Sequence, residues 1–302
     1  RVQAQKVDGI ILDLRNNGGG SLQDAVDMAG HFIDKGPVVQ VKDETNPPRV
    51  YGDRRAGEVY DGPLLVMINN YSASASEILA GALKDYKRAV IVGSHSFGKG
   101  TVQNMLDLNR YAQGVVSSDV NLGALKITIQ QFYRINGAST QLKGVHPDIY
   151  LPNEFAYMET GIKAYDNALA WDSIAPADYP TYNEGDLKLK KLIKNSKKRI
   201  DQSTVFNEVI SQNITYKKER EETQVILNLD TELENRAEFK ANSKAFKELY
   251  TPNENWTFES LQEFKPEEEE DVKTEKKERW EKLLKEDFYL AEAVEIMTEL
   301  TK

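Results

Sequence analysis

Apolar positions in the first half of the chain come in short unbroken runs. Gly9–Leu14 (GIILDL), Leu64–Ile68 (LLVMI) and Ala89–Val92 are each interrupted by Asn, Gly or Pro within two residues, as expected of strands buried on both faces. Val38–Val41 reads as a further strand and Asn46-Pro47-Pro48 as a turn. Leu125, Ile127 and Ile129 alternate with Lys126, Thr128 and Gln130, which predicts a half-exposed strand ending near Asn136-Gly137. Between these runs the spacing becomes helical. Leu22, Ala25, Val26, Ala29, Phe32 and Ile33 form one apolar face behind Ser21, a helix cap with Asp24 three residues on. The segment from Ser74 to Tyr86 predicts a second helix, with Ile78, Leu79, Ala82 and Leu83 turned inward. Strands and helices in alternation imply an α/β layer.

Near residue 152 the pattern changes. Residues 1–150 hold 17 of the 19 glycines, whereas residues 151–302 are rich in Lys, Glu and Leu and carry 33 acidic against 23 basic residues. Leu187–Ile200 and Trp280–Leu300 are the clearest helical stretches, and the acidic run Pro266–Asp271 reads as a solvated linker. The division expected is an α/β domain at 1–155, truncated at its N-terminus, followed by a helical domain at 156–302. The sequence opens at Arg1, almost directly into a strand-like run, and reads as a fragment.

Composition narrows the chemistry. Of 302 residues, 40% are hydrophobic and 29% charged, enough apolar material for a substantial core. A net charge of -9 argues against non-specific binding to nucleic acid or to an anionic membrane. The absence of cysteine excludes disulfides, thiolate catalysis and cysteine-ligated zinc. His31, His95 and His146 share no metal-ligand spacing, so no metal site is expected. No run approaches the ~20 apolar residues of a membrane span.

Three stretches can do chemistry. Ser72-Ala73-Ser74-Ala75-Ser76-Glu77 lies between a strand end and a helix start, where helix N–H groups favour a developing oxyanion. The same position is the ordinary place for a capping serine, with Glu77 completing a capping box. A nucleophilic serine needs a base. His95 or His146 with Asp85 gives a Ser-His-Asp reading. Lys99, between Gly98 and Gly100, gives a Ser-Lys reading if burial lowers its pKa. Finally, Gly93-Ser94-His95-Ser96-Phe97-Gly98-Lys99 fits the opening of a phosphate-binding loop. Gly100 stands where that motif requires Ser or Thr, and no helix pattern follows.

Taken in order, Leu12-Asp13-Leu14-Arg15-Asn16-Asn17-Gly18-Gly19-Gly20, Ser72–Ile78, Asp85-Tyr86 and Gly98-Lys99-Gly100-Thr101-Val102-Gln103 resemble the carboxy-terminal processing peptidases, in particular the tail-specific protease (Prc) branch. Gln130–Arg134, Lys143–Asp148 and the helical tail fit the same branch. The resemblance implies a crotonase/Clp-like ββα protease core followed by a mostly α-helical domain. It also implies a Ser-Lys dyad: Ser74 as nucleophile, Lys99 as general base and Gln103 orienting the lysine. Gly19 and Ala75 would supply oxyanion N–H groups, with Asp85, Glu77 and Ser96 in support and no cofactor. It further implies protein or peptide substrates recognised through their C-terminal tails by a PDZ domain expected in the full-length chain. An adaptor on the helical domain and a periplasmic location in the bacterial cell envelope are also implied. The rival readings are a nucleotide-binding protein using Gly93–Lys99 and a non-catalytic interaction module.

Overall fold

The computed structural model describes residues 6–111, 120–181, 186–224, 227–252, 254–260 and 270–302. In chain order the first part contains β1 (Ile10–Asp13), α1 (Leu22–Ala29), β2 (Gly36–Lys42), β3 (Arg49–Asp53), β4 (Leu64–Ile68), α2 (Ala75–Asp85), β5 (Val90–Gly93), β6 (Thr101–Asp107), the single turn α3 (Leu108–Tyr111), β7 (Ala124–Tyr133) and β8 (Ile149–Tyr150). The rest contains α4 (Asp186–Gln202), α5 (Thr204–Glu221), α6 (Leu229–Glu248), α7 (Glu270–Lys285) and α8 (Phe288–Leu300). The fold is thus an α/β core followed by a helix-rich region.

The core has two sheets. One is parallel, in the order β1-β4-β5-β8, and the other antiparallel, in the order β3-β2-β7-β6. Alternation of side chains along β4 explains its unbroken apolar sequence. Leu64, Val66 and Ile68 share a core with Val26, Ile33, Ile78, Leu79 and Phe132, from α1 and the turn after it, α2 and the antiparallel sheet. Leu65 and Met67 face the other way and pack with Leu192, Phe206, Ala293, Ile296 and Met297 of α4, α5 and α8. The helix-rich region is therefore the second cover of the parallel sheet, and the two parts share the core on that face.

The second half departs from its sequence pattern in two places. Residues 156–181, expected within a helical domain, contain one short 3₁₀ turn (Ile162–Ala164) and otherwise run along the α/β core as a strap. Its backbone groups bond to core loops: Ile162 N donates to Phe97 O (3.0 Å), Ile174 N to Gly137 O (2.9 Å) and Ala177 N to Ile135 O (2.8 Å). Gln40 Nε2 reaches Ala175 O at 3.1 Å. Gly161, at φ +87°, lies so close that a Cβ there would stand 2.2 Å from Phe97 O. Secondly, the stretch Trp280–Leu300 is two helices. The chain breaks at Asp287, whose carboxylate accepts Leu290 N at 2.9 Å and caps α8. Of the acidic run, 266–269 lie outside the described residues, and Glu270 and Asp271 open α7.

Because Ile296 is fully buried against β4, Ile296→Ala should cost about 2–5 kcal/mol. The shared core makes the loss appear in one cooperative transition. Urea unfolding followed by circular dichroism and by tryptophan fluorescence should give coincident curves, both shifted. A separate early transition of the helices alone would contradict the shared core.

Candidate active site

Three loops meet beyond the C-terminal ends of β1, β4 and β5, the place where parallel sheets present ligand-binding loops. They are Arg15–Gly20, Asn69–Ser74 and Ser94–Gly100. Ser74 is half-buried at the N-terminus of α2 and has φ +57° and ψ −114°. A non-glycine residue there costs on the order of 1–3 kcal/mol and persists only where its surroundings enforce it. Here they do. Ala73 N donates to Asn17 O (2.9 Å), Phe97 N to Ser72 O (2.9 Å), and Ser76 Oγ to Asn17 O (3.1 Å). The expected capping box is present at the start of α2, where Glu77 Oε2 accepts Ser74 N at 2.9 Å. Ser72, fully buried, accepts Asn69 N (2.9 Å) and donates to Leu14 O (2.8 Å), tying β1 to the loop.

Glu77 links the serine turn to the lysine loop. Its side chain is buried, and four donors converge on it. Oε2 accepts Ser74 N and Lys99 N, both at 2.9 Å. Oε1 accepts Gly98 N at 2.8 Å and Ser96 Oγ at 2.6 Å. Four donors favour the ionised carboxylate, whereas burial favours the protonated form, and burial is the larger effect. Burial pushes its pKa up to about 7, against those hydrogen bonds. Ser96 extends the link, its Oγ accepting Val145 N at 2.6 Å.

The same bonds remove the phosphate-loop reading. The N–H groups of Gly98 and Lys99, which would have to cradle a phosphate, are taken by Glu77, and the chain continues into strand β6 instead of a helix. The glycines around Lys99 serve the backbone. Gly98 sits at φ +82°, and a Cβ on Gly100 would come within 2.8 Å of Gln141 N. Lys99 is half-buried, and its ammonium pKa is lowered first by burial and next by Lys126, with Glu77 opposing. Lys99, Gln103 and Lys126 line a groove of about 880 Å³ with Phe97, Tyr165 and Leu169, the last two from the strap. Gln103 is exposed on β6, immediately after a bulge.

Other candidates lie elsewhere. Asp85 ends α2, about 16 Å from its start by helix rise. Arg134 Nε donates to it at 3.0 Å and Asn136 Nδ2 at 2.9 Å. Burial raises its pKa despite Arg134. It is therefore not available to orient a histidine. His95 and His146 meet edge to face, centroids 4.3 Å apart, with Tyr150 next to His95. The Ser-His-Asp arrangement is not formed. Gly19, at φ +99°, lies against the serine turn, where a Cβ would come 2.8 Å from Ser74 Cβ and 2.9 Å from Ala75 N. Its N–H donates to Asn17 Oδ1 (2.9 Å) in this conformation.

The sequence reading overlooked Asn17, which braces the serine turn, and Gln141. The Gln141 Oε1 accepts Gly100 N (2.9 Å) while its Nε2 donates to Leu169 O (3.1 Å), joining lysine loop and strap. The adjacency of Asn17 to three glycines was the available signal for the first; nothing local marks the second.

Ser74, in an enforced turn at a helix N-terminus, is thus joined through one buried carboxylate to the loop that carries Lys99. The chain belongs to peptidase family S41, whose model matches residues 1–151. Residues 155–302 match the C-terminal domain of tail specific protease. The tail-specific protease of Haemophilus influenzae is 51% identical over 179 residues, 59% of this chain and 25% of that protein. The carboxy-terminal-processing protease of Bartonella bacilliformis is 39% identical over 150 residues, 49% of this chain and 32% of that protein. Among solved structures, a photosystem II D1 C-terminal processing protease aligns at 35% identity with a TM-score of 0.42, over 50% of this chain and 36% of that one. The chain thus spans about a quarter to a third of the curated relatives it matches.

Glu77→Gln tests the convergence. An amide offers one acceptor, so its NH₂ must face two of the four donors, and activity should fall about 10- to 100-fold through misplacement of the two loops. The contribution of Glu77 to stability should fall as pH rises. Since the folded pKa, about 7, lies above the unfolded 4.5, the folded chain holds this proton more tightly. The contribution is complete below pH 4.5 and is lost as pH rises through 7, on the order of 3 kcal/mol. Denaturation from pH 4 to 8 should show that decline in the parent and not in the variant.

Proposed function

We propose that this chain carries the catalytic machinery of a serine endopeptidase that cleaves proteins presented by their C-terminal tails. Ser74 attacks the scissile carbonyl, and neutral Lys99 takes its proton. Gln103, beside Lys99 in the groove, orients the amine. The N–H of Ala75 and the Gly19 loop hold the oxyanion, Gly19 donating once the Asn17 carboxamide releases it. Each such donor is worth about 3 kcal/mol in related chemistry. Glu77 and Ser96 support the dyad directly. Asp85 supports it at a distance, by fixing α2 against Arg134.

The observation that carries this reading is the shared bonding of Ser74 N and Lys99 N to one Glu77 oxygen, at 2.9 Å each. It sets the two loops side by side at a groove large enough for an extended peptide. The family of the chain and the names of its relatives support the reaction and the tail-directed substrate. We further infer a periplasmic setting, a PDZ domain in the full-length protein that delivers the tail, and an adaptor surface on the helix-rich region. The boundary we propose between the catalytic and helix-rich units is 155/156. Among the described residues no helix is long and apolar enough to cross a membrane.

In the full-length protein, Ser74→Ala should lower kcat/KM by at least about 1,000-fold without changing the circular dichroism spectrum. Ser76→Ala should retain most activity; an inactive Ser76→Ala beside an active Ser74→Ala would reassign the nucleophile.

Lys99 yields a second test. Its folded pKa is below 10.5, so activity should be lost as pH falls through the folded value and the amine protonates. Over the interval up to 10.5 the unfolded chain binds more protons, so stability rises with pH there. Lys99→Arg should be inactive across this range because guanidinium stays protonated. A substantially active Lys99→Arg enzyme would eliminate lysine as the base.

A further inference from the structure

Asp287 stands far from Ser74 in sequence, in the helix-rich region, yet it reaches the loop that faces the serine. Arg15 follows β1 and opens the stretch Arg15–Gly20. Its guanidinium is gripped from two sides. Nε and Nη2 bond Asp13 at 3.0 and 2.7 Å, while Nη1 and Nη2 bond Asp287 Oδ1 and Oδ2 at 3.2 and 2.6 Å. This is a two-point pair on largely buried side chains, 18% exposed for Arg15 and 22% for Asp287. Asp287 is itself held rigidly. It caps α8, and the next residue, Phe288, packs against Phe206 and Tyr289. Ala293, Ile296 and Met297 then seat α8 on the sheet.

From Arg15 the constraint passes along the loop. Asn16 takes φ +58° and exchanges two hydrogen bonds with Asn69, both at 2.9 Å. Asn17 O then accepts Ala73 N and Ser76 Oγ, one on each side of the serine. Gly19 lies against Ser74 and Ala75. We propose that Asp287 is a positioning residue for the peptidase reaction. By clamping Arg15 it fixes Asn16–Gly19 against the serine turn, so the helix-rich region completes the oxyanion side of the site. The inference rests on Ser74 as the nucleophile. The alternative is that the pair only staples α8 to the core.

Four versions of the full-length protein separate these: parent, Asp287→Asn, Arg15→Lys and the double variant. Asn still caps α8 but carries no charge, and Lys cannot form a two-point pair. Active sites are titrated with a fluorophosphonate so that rates refer to folded enzyme only. Each single variant should lose about tenfold in kcat, about 1.4 kcal/mol, with KM within about twofold. Affinity for a peptide boronate, which forms a tetrahedral adduct, should fall by the same factor, while an uncleavable peptide should bind unchanged. The double variant should be no worse than either single one. Parental kcat in both single variants would overturn the proposal. So would losses that multiply in the double variant, or weakening of the uncleavable peptide to match the boronate. A parent enzyme that neither fluorophosphonate nor boronate labels would instead overturn Ser74 as the nucleophile, and this proposal with it.

Discussion

The arrangement of the site depends on one buried carboxylate. An isolated ionised carboxylate in a protein interior is costly, by several kcal/mol even after relaxation. For Glu77 four short hydrogen bonds, three of them from backbone N–H groups, offset part of that cost. The donors belong to two loops, one after β4 and one after β5, which Ser94 Oγ donating to Asn70 Oδ1 (2.6 Å) and Phe97 N donating to Ser72 O (2.9 Å) also join. Satisfying the charge therefore requires both loops to be in place together. Backbone donors also make the link insensitive to side-chain rotamers, so it fixes the chain path at Ser74 and Lys99 without using the functional atoms of either.

The path at Ser74 shows what that link has to hold. Its positive φ would relax if either flank were free. Asn17 restrains Ala73 and Ser76, Ser72 O restrains Phe97, and Glu77 restrains Ser74 itself. The strain is therefore shared over three loops, each anchored at the end of a parallel strand. The strap adds a fourth support from outside. Its Gly161–Ile162 dock on Phe97 O, and Leu169 O binds Gln141, which holds Gly100. Lys99 thus sits between a loop fixed from beneath by Glu77 and a strap fixed to it from above.

Much of this was legible in the sequence wherever the determining interactions are local. The doubly buried strands show as unbroken apolar runs, and Ser21 accepts Asp24 N as its spacing foretold. Helix α2 falls within one residue of its expected limits. The motifs around Ser74 and Lys99 stand on adjacent loops, as their order along alternating strands and helices requires. What escaped was set by distant partners. Glu77 read as half of a capping box, because only its bond to Ser74 N is local; the bonds to Gly98 and Lys99 span more than 20 residues. Residues 156–181 lie in the glycine-poor half of the chain, on the helical side of the expected boundary. Their Pro176, Pro180 and Gly161 disfavour helix, but only contact with Phe97, Ile135 and Gly137 defines their course. The pair between Arg15 and Asp287 spans 272 positions, and no periodicity carries such information.

The remaining tension lies in the lysine. In the proposed reaction Lys99 must be neutral, yet the carboxylate that fixes its loop favours the ammonium form. The directions on Lys99 show how the conflict is resolved. Burial acts first, Lys126 second, and the attraction of Glu77 is the weakest of the three. The Glu77 oxygens are already occupied by four donors, two of them the N–H groups of Gly98 and Lys99. Lys126, from β7, reaches the same groove and raises the cost of a second positive charge there. The carboxylate thus supplies position, while burial and a neighbouring cation set the proton affinity. Separating these two tasks lets one loop be held by an anion and still present a base.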